Sequence, residues 1–211
     1  MIAIVDYGVG NLGSALKGFQ NAGFPAAVTH NPSEIERAEA VVLPGDGAFK
    51  DCYEGLEQRG LVGPIHAAIR SGKPFLGICV GMQLLFEGSD EGEPSPGLAV
   101  FRGRCIRFPD GRSTGLKVPH MGWNELRVAD EGTCAMLSGL GPHPYVYFIH
   151  SYYPVPADRS VILATANHGV DFAAVVGKDN VFGMQFHPEK SQTVGLKMVK
   201  AFGELTTACP Q

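Results

Sequence analysis

The sequence predicts an α/β protein with a mostly parallel central sheet flanked by helices, to which a β-rich second half is added. Over residues 1–86, short apolar runs alternate with longer segments of helical spacing, which is the pattern of βαβ units. Beyond residue 86, short apolar runs follow one another with little helical spacing between them. The 28 glycines among 211 residues indicate many tight connections between these elements.

The first half supplies the parallel core. Short runs rich in apolar and β-branched residues predict strands over residues 2–5, 26–29, 40–43 and 74–79. Apolar residues at helical spacing predict helices over residues 14–21, 51–59, 61–71 and 80–86. Parallel sheets bind ligands beyond the C-terminal ends of their strands, where loops meet helices, so we expect the chemistry there.

The second half begins with an acidic loop rich in glycine and proline, residues 87–96. Strands are predicted over residues 99–108, 125–128, 146–152, 161–165, 172–176 and 181–185, and a closing helix over residues 193–205. The sequence has no internal repeat and no stretch that is long or polar enough to link two domains. We therefore expect a single domain over residues 1–211.

Composition excludes several classes of protein. With 17 Lys and Arg against 21 Asp and Glu, the net charge of -4 offers no basic surface for nucleic acid. No apolar run approaches the roughly 18 residues of a membrane helix, and the first residues do not resemble a signal peptide. Five scattered cysteines without a C-x-x-C pair, and no H-E-x-x-H motif, predict reduced thiols in the cytoplasm and no metal.

A nucleophile is predicted at Cys79. Residues 77–81 (GICVG) follow a strand and precede a helix, which is the context of a G-x-nucleophile-x-G turn. Such a turn strains the backbone and leaves no room for side chains two residues away, so both flanking positions need glycine. The helix N-terminus favours the thiolate, and the Val80 N–H can receive an oxyanion. The alternative is a cysteine that only packs beneath a tight turn.

A base and its orienting carboxylate are predicted at His187 and Glu189. Residues 186–189 (FHPE) follow the strand predicted over residues 181–185. Pro188 argues against a helical continuation, and in an extended segment residues two apart face the same way, so the carboxylate can reach the imidazole. The free ring nitrogen would then accept the Cys79 proton. Taken alone, such a pair is more often found on a polar surface.

These two motifs together resemble the class I, triad-type glutamine amidotransferases, which have a flavodoxin-like fold. The resemblance lies in residues 74–83 (PFLGICVGMQ) and 186–190 (FHPEK). The resemblance covers essentially the whole chain. Four further segments are similar specifically to the glutaminase subunits of histidine biosynthesis, namely residues 6–12, 43–49, 119–124 and 148–152.

The resemblance implies that Cys79 attacks the side-chain amide of glutamine and that a thioester is then hydrolysed to glutamate, without a cofactor. It implies that Gly47 joins Val80 in the oxyanion hole. It also implies that the residues holding the glutamine are Gln83, His150, Ser151 and Tyr152. Ammonia would pass to a separate cyclase subunit, a (β/α)8 barrel that forms a heterodimer with this chain. Asp46 departs from the family pattern, which usually has a small apolar residue there.

Residues 117–124 resemble the segment of the family that faces the partner. Trp123, Met121 and His120 are typical of exposed interface anchors, although Trp123 could instead fill the core. The residues expected at the interface are Asn11, Lys117, Pro119, His120, Met121, Trp123 and Asn124.

Three other functions remain open on the sequence. Residues 8–13 (GVGNLG) match the dinucleotide-binding pattern G-x-G-x-x-G, but the strand over residues 26–29 is followed by His30 and Asn31 instead of an acidic residue. A non-catalytic subunit with this fold is opposed by the intact triad. A glutaminase serving another acceptor is opposed by residues 6–12 and 119–124.

Overall fold

The computed structural model describes residues 1–109, 115–129 and 134–208. Its strands are β1 Ile2–Val5, β2 Ala26–Thr29, β3 Ala40–Gly45, β4 Phe75–Cys79, β5 Gly88–Ser89, β6 Ser95–Pro96, β7 Gly103–Arg107, β8 His120–Glu125, β9 Arg127–Val128, β10 Tyr145–His150, β11 Tyr152–Pro156, β12 Ile162–Asn167, β13 Asp171–Lys178 and β14 Val181–Met184. Its helices are α1 Leu12–Asn21, α2 Pro32–Arg37, α3 Phe49–Gln58, α4 Val62–Arg70, α5 Val80–Gln83 and α6 Gln192–Ala208. Short 3-10 turns cover Ala135–Leu137, Arg159–Val161 and Pro188–Lys190.

The central sheet has eight strands in the order β2-β1-β3-β4-β14-β13-β12-β9. Neighbours from β2 to β14 are parallel, and those from β14 to β9 are antiparallel. The described part of the chain also forms a two-stranded ribbon, β8 and β10, and a four-stranded sheet, β11-β7-β5-β6. This arrangement confirms the predicted α/β class with its added β-rich half.

The parallel strands are apolar without interruption because both faces of the sheet are covered. Every residue of β1, β3 and β4 is buried. Helices α1 and α6 meet through an edge-to-face contact of Phe19 and Phe202, whose ring centres are 5.9 Å apart. The strands and helices of the core thereby fix the ends of β3, β4 and β14 side by side.

Several predicted elements differ from the observed ones. Helix α2 was not predicted, although Asn31 caps it by accepting a hydrogen bond from the Ser33 N–H at 3.0 Å and Pro32 occupies its first turn, where proline is tolerated. The helix predicted over residues 80–86 ends at Gln83, because Leu85 and Phe86 continue with bonds to residues three positions back.

Two strand predictions also need correction. The strand predicted from residue 99 begins only at Gly103, because the amides of Ala99, Val100 and Phe101 bond back to Leu85 and Phe86. Strand β8 was predicted only at its last residue. Its glycine, histidine and asparagine residues give it no apolar run, and pairing with β10 makes it a strand.

No helix in the described ranges is long and apolar enough to cross a membrane.

Candidate active site

Cys79 is the last residue of β4 and directly precedes α5. Its backbone has φ 55° and ψ -115°, and residues other than glycine rarely adopt such a positive φ. A Cβ at Gly77 would lie 2.5 Å from the Gly81 carbonyl oxygen, and one at Gly81 would lie 1.8 Å from the Leu43 carbonyl oxygen. The strained turn and the need for glycine on both sides, predicted from the sequence, are therefore confirmed.

The thiol of Cys79 is buried, with 4% of the residue exposed, but it borders an open cleft. The cleft has a volume of about 180 Å³. Its lining includes all six residues that the family resemblance assigned to substrate and oxyanion binding, namely Gly47, Val80, Gln83, His150, Ser151 and Tyr152. The sulfur is therefore close to the surface on which a small substrate would bind.

His187 and Glu189 lie beyond the end of β14, the strand that neighbours β4. His187 Nδ1 is 2.9 Å from Glu189 Oε1, and both side chains are almost fully buried. The predicted contact is confirmed, but the predicted extended segment is wrong: Pro188 starts a 3-10 turn. Proline fits the first position of a helical turn because the N–H it lacks would have no partner there.

Ser191 holds this turn in place. Its hydroxyl donates to the His187 carbonyl oxygen at 2.7 Å and accepts from the Tyr147 N–H at 2.9 Å. The His187 N–H in turn donates to the Tyr147 carbonyl oxygen at 3.1 Å. Two hydrogen bonds thus join strand β10 to this turn, and a third closes the turn itself.

The environment of His187 favours its protonated form. Burial alone would lower the pKa of His187, but the Cys79 sulfur and the Glu189 carboxylate outweigh burial and raise this pKa to about 10. His187 Nε2 is buried and makes no well-aligned hydrogen bond to any described residue. The imidazole therefore carries a proton beside Cys79 that is available to a third, reacting group.

The loop after β3 places Gly47, whose N–H is the expected oxyanion donor, at the cleft. This N–H is already hydrogen-bonded within the loop. The Gly47 N–H donates to the Asp46 carboxylate at 2.9 Å, and the Cys52 thiol donates to the Asp46 carbonyl oxygen at 3.3 Å. Asp46, the residue that departs from the family pattern, thus accepts the hydrogen bond of the N–H group to which an oxyanion would bind.

If the chain hydrolyses glutamine as the family resemblance implies, replacing Asp46 with alanine is expected to raise the rate of that reaction in the isolated chain about tenfold. Gly47 no longer has to give up a hydrogen bond of roughly 1.4 kcal/mol before it can receive the oxyanion. Asp46→Asn is the matched control, because the amide oxygen can still accept from Gly47, and it should stay near wild type. An equal rise in both variants, or none in either, would contradict this role of Asp46.

Two polar residues at the site were not assigned a role from the sequence. Gln185 is fully buried, and its Nε2 lies 3.9 Å from the Cys79 sulfur. Glu91 lines the cleft and accepts a hydrogen bond from the Phe49 N–H at 2.9 Å. Gln185 could have been noticed because it stands two residues before His187, whereas nothing in the acidic loop marks Glu91.

The residues expected at the partner interface divide into two groups. Met121 and Trp123 are 57% and 46% exposed, so the core position considered for Trp123 is wrong. His120 is buried, so its expected exposure is wrong too: it points to the other side of β8.

The remaining residues expected at the interface are mostly exposed. Lys117, Pro119 and Asn11 are exposed, and Asn124 is partly buried. Asn11 caps α1 and also borders a small cavity beside His187 and Glu189.

Gly8 and Gly10 lie in a turn before α1, whereas Gly13 is already within that helix. A Cβ at Gly8 would lie 2.7 Å from the guanidinium of Arg59, which donates to the Tyr7 carbonyl oxygen. Gly10 has φ 104° and lies against Pro44. The space beside these two glycines is therefore occupied by atoms of Arg59 and Pro44.

The described residues include no group of three His, Cys, Asp or Glu side chains arranged to hold a metal ion. Four described cysteines are free and buried, namely Cys52, Cys79, Cys105 and Cys134. The fifth, Cys209, lies outside the described residues.

Two buried histidines, one in the cleft lining and one beside it, predict that the free energy of unfolding depends on pH. Burial lowers the pKa of His120 to about 4 and that of His150 to about 3, against an ordinary value of about 6.5. The unfolded chain therefore takes up protons first as the pH falls. The contribution of these two residues to the free energy of unfolding is complete above about pH 6.5. It is lost progressively as the pH falls from 6.5 to about 3.

Urea unfolding at pH 7 and pH 4.5 measures this loss. The decrease in unfolding free energy should be smaller for His150→Phe than for wild type, whatever the absolute stability of the variant. An unchanged decrease would contradict the assignment.

Comparisons with known proteins agree with this geometry. The model of the family described as glutamine amidotransferase class-I matches residues 3–204. A relative from Geobacter sulfurreducens, named imidazole glycerol phosphate synthase subunit HisH, is 53% identical over 97% of this chain and 98% of its own. A protein of the same name from Geobacillus thermodenitrificans is 46% identical over 98% and 97% of the two chains.

Solved structures share the fold. A crystal structure of a glutamine amidotransferase superposes with a TM-score of 0.75 at 20% identity, covering 98% of this chain and 100% of that one. The structure of PurLQS from Thermotoga maritima gives a TM-score of 0.72 at 20% identity, covering 98% and 97%. The match of the family model over almost the whole length and the close relatives together show that this chain belongs to the class-I glutamine amidotransferase family.

Proposed function

We propose that the chain is the glutaminase subunit of an imidazole glycerol phosphate synthase, releasing ammonia from glutamine for a cyclase subunit in histidine biosynthesis. The observation that carries the chemistry is the position of Cys79 at a strained turn beside His187, whose Nδ1 is 2.9 Å from Glu189. The choice of acceptor is supported by relatives of about half identical sequence that carry that name.

The reaction follows from the groups at the site. The Cys79 sulfur attacks the carbonyl carbon of the glutamine side chain, and the negative charge that develops on the oxygen is met by backbone N–H groups. The C–N bond then breaks as His187 donates its proton to the leaving nitrogen, and ammonia departs. Glu189 keeps Nδ1 protonated and the ring aligned.

Hydrolysis completes the cycle. Water attacks the thioester while His187 accepts one of its protons, the C–S bond breaks, and glutamate leaves. The proposed acyl intermediate is therefore attached to Cys79 until water reaches it.

Delivery of ammonia requires a partner. Ammonia released into water at neutral pH would be protonated and would lose its nucleophilicity. A cyclase subunit, a (β/α)8 barrel that forms a heterodimer with this chain, would receive it directly. The exposed side chains of Met121 and Trp123 support a docking surface on β8.

The function is tested by measuring glutamate release from glutamine with and without the cyclase subunit. We expect strong stimulation by the cyclase and no activity of Cys79→Ala under either condition. Equal activity of wild type and Cys79→Ala would exclude the proposed chemistry. Activity that no cyclase stimulates, with no complex formed, would favour a different acceptor synthase.

The docking surface is tested by Trp123→Ala. An exposed tryptophan at the centre of an interface contributes about 2 kcal/mol or more, so the affinity for the cyclase should fall at least about 30-fold. Val28→Ala is the control, because Val28 is also an exposed apolar residue but lies on β2, at the far edge of the sheet. Titration calorimetry measures both, and equal affinities of the two variants would exclude Trp123 as an anchor.

A further inference from the structure

A continuous run of hydrogen bonds leads from β8 to the cleft. Asn124 Nδ2 is 3.2 Å from His120 Nε2, and His120 Nδ1 is 2.9 Å from His150 Nε2. His150 Nδ1 is 2.9 Å from the Tyr152 carbonyl oxygen. The two histidines are 5% and 6% exposed, so water does not replace these contacts.

The run continues from Tyr152 to the nucleophile. The Tyr152 carbonyl oxygen also accepts from Gln83 Nε2 at 2.9 Å. The same nitrogen donates to Gln185 Oε1 at 3.1 Å, and Gln185 Nε2 lies 3.9 Å from the Cys79 sulfur. Both glutamines are buried.

The chemistry of the end groups fixes the direction of every bond. A carbonyl oxygen can only accept, so His150 Nδ1 carries the proton, and in a neutral ring Nε2 is then an acceptor. His120 must therefore donate from Nδ1, which leaves its Nε2 to accept from the amide of Asn124. Burial keeps both rings neutral by lowering the pKa of each. A second proton on His150 would place two N–H groups against each other.

The Tyr152 carbonyl oxygen, which can only accept, also determines which atom Gln83 presents to the cleft. The Gln83 nitrogen uses both protons, one for Tyr152 and one for Gln185. Among the described residues no donor contacts Gln83 Oε1, so this oxygen is the atom available to a ligand. The amide is thus set to accept a hydrogen bond from a donor group of the substrate.

We propose that His120 and His150 are positioning residues of the glutaminase reaction, which hold the Tyr152 carbonyl group and thereby keep the oxygen of the Gln83 amide directed at the substrate. The inference rests on the proposed function. It gives a role in glutamine binding to His120, which is not itself among the residues that line the cleft.

Kinetic variants test the role. His120→Phe keeps an aromatic ring but removes both hydrogen bonds, so His150 can exchange tautomer and release the Tyr152 carbonyl group. We expect the KM for glutamine to rise about tenfold, as loss of one buried hydrogen bond predicts, with kcat changed less than threefold. His120→Asn places an N–H donor near the position of Nδ1 and should restore most of the loss.

The matched control is His168→Phe. The His168 ring stacks on His120 with centres 4.3 Å apart, but its Nε2 bonds to the Lys117 carbonyl oxygen, outside the run. The KM of the His168→Phe variant for glutamine should remain at the wild-type value. Equal changes in KM for His120→Phe and His168→Phe, or no rescue by His120→Asn, would mean that His120 only packs, and would overturn the proposal.

A readout independent of activity separates this inference from the proposed function. Nitrogen-15 NMR of the histidine rings at pH 7 should show His120 and His150 neutral with the proton on Nδ1. A proton on Nε2 of either ring, or a charged ring, overturns the proposal even if the enzyme is active or if His120→Phe fails to fold. A wild-type chain without glutaminase activity beside its partner, but with both expected tautomers, would instead remove the proposed function and the positioning role that depends on it.

Discussion

Replacement of His187 with alanine is expected to lower kcat for glutamine hydrolysis by at least about 10⁴-fold, the range found when the base of a nucleophile–histidine–carboxylate site is removed. The ring is the only described group that both contacts the Glu189 carboxylate at 2.9 Å and interacts with the Cys79 sulfur. Without it, the leaving nitrogen has no proton donor. Steady-state glutamate release in the presence of the partner measures the loss.

A second histidine–glutamate pair offers a control. His143 Nδ1 lies 2.5 Å from Glu125 Oε1, but the His143 side chain is 75% exposed and neither residue lines the cleft at Cys79. His143→Ala should keep the wild-type kcat at saturating partner. If His187→Ala retained more than about one hundredth of the wild-type rate, a different group would have to supply the proton.

Gly81→Ala is expected to destabilise the fold by about 3 kcal/mol or more, as overpacking a site with no room does. The new Cβ would be 1.8 Å from the Leu43 carbonyl oxygen, which belongs to the β3 backbone and cannot move aside like a flexible side chain. Since β3 and β4 pair up to Gly45 and Cys79, relief of the clash would separate the two strand ends that form the site. Activity should be lost together with stability.

The control for this steric effect is Gly18→Ala in α1. A Cβ there meets nothing within 4 Å, and alanine favours a helix over glycine, so the variant should be more stable by roughly 0.5–1 kcal/mol. Unfolding in urea measures both changes. Similar midpoints for Gly81→Ala and wild type would show that the turn has room that the structure does not show.

The parallel half of the fold was predictable because β1, β3 and β4 are buried on both faces and therefore read as unbroken apolar runs. The placement of Cys79, His187 and Glu189 close together was predictable because their motifs stand where neighbouring strands end. Residues 84–86 and 99–102 were not predictable in the same way. The amides of residues 85 and 86 bond to carbonyl groups three positions back, those of residues 99–101 bond to the carbonyl groups of residues 85 and 86, and no periodicity in the sequence indicates these bonds.

The side-chain pattern of β8 shows a limit of a different kind. Residues alternate between the two faces of a strand, so if Met121 and Trp123 face outward, His120 must face inward. The sequence contained that information, but it could be used only once β8 was known to be a strand. The position of the Asp46 carboxylate on the Gly47 amide could not be predicted, because it depends on the conformation of a single loop.

The proposed covalent step on Cys79 is tested most directly by trapping the intermediate. The chain and its partner are mixed with glutamine, quenched in acid during turnover, digested and analysed by mass spectrometry. We predict a glutamyl group on the peptide that contains Cys79, absent from Cys79→Ala. Steady turnover with an unmodified Cys79 peptide, together with undiminished activity of Cys79→Ala, would contradict the account.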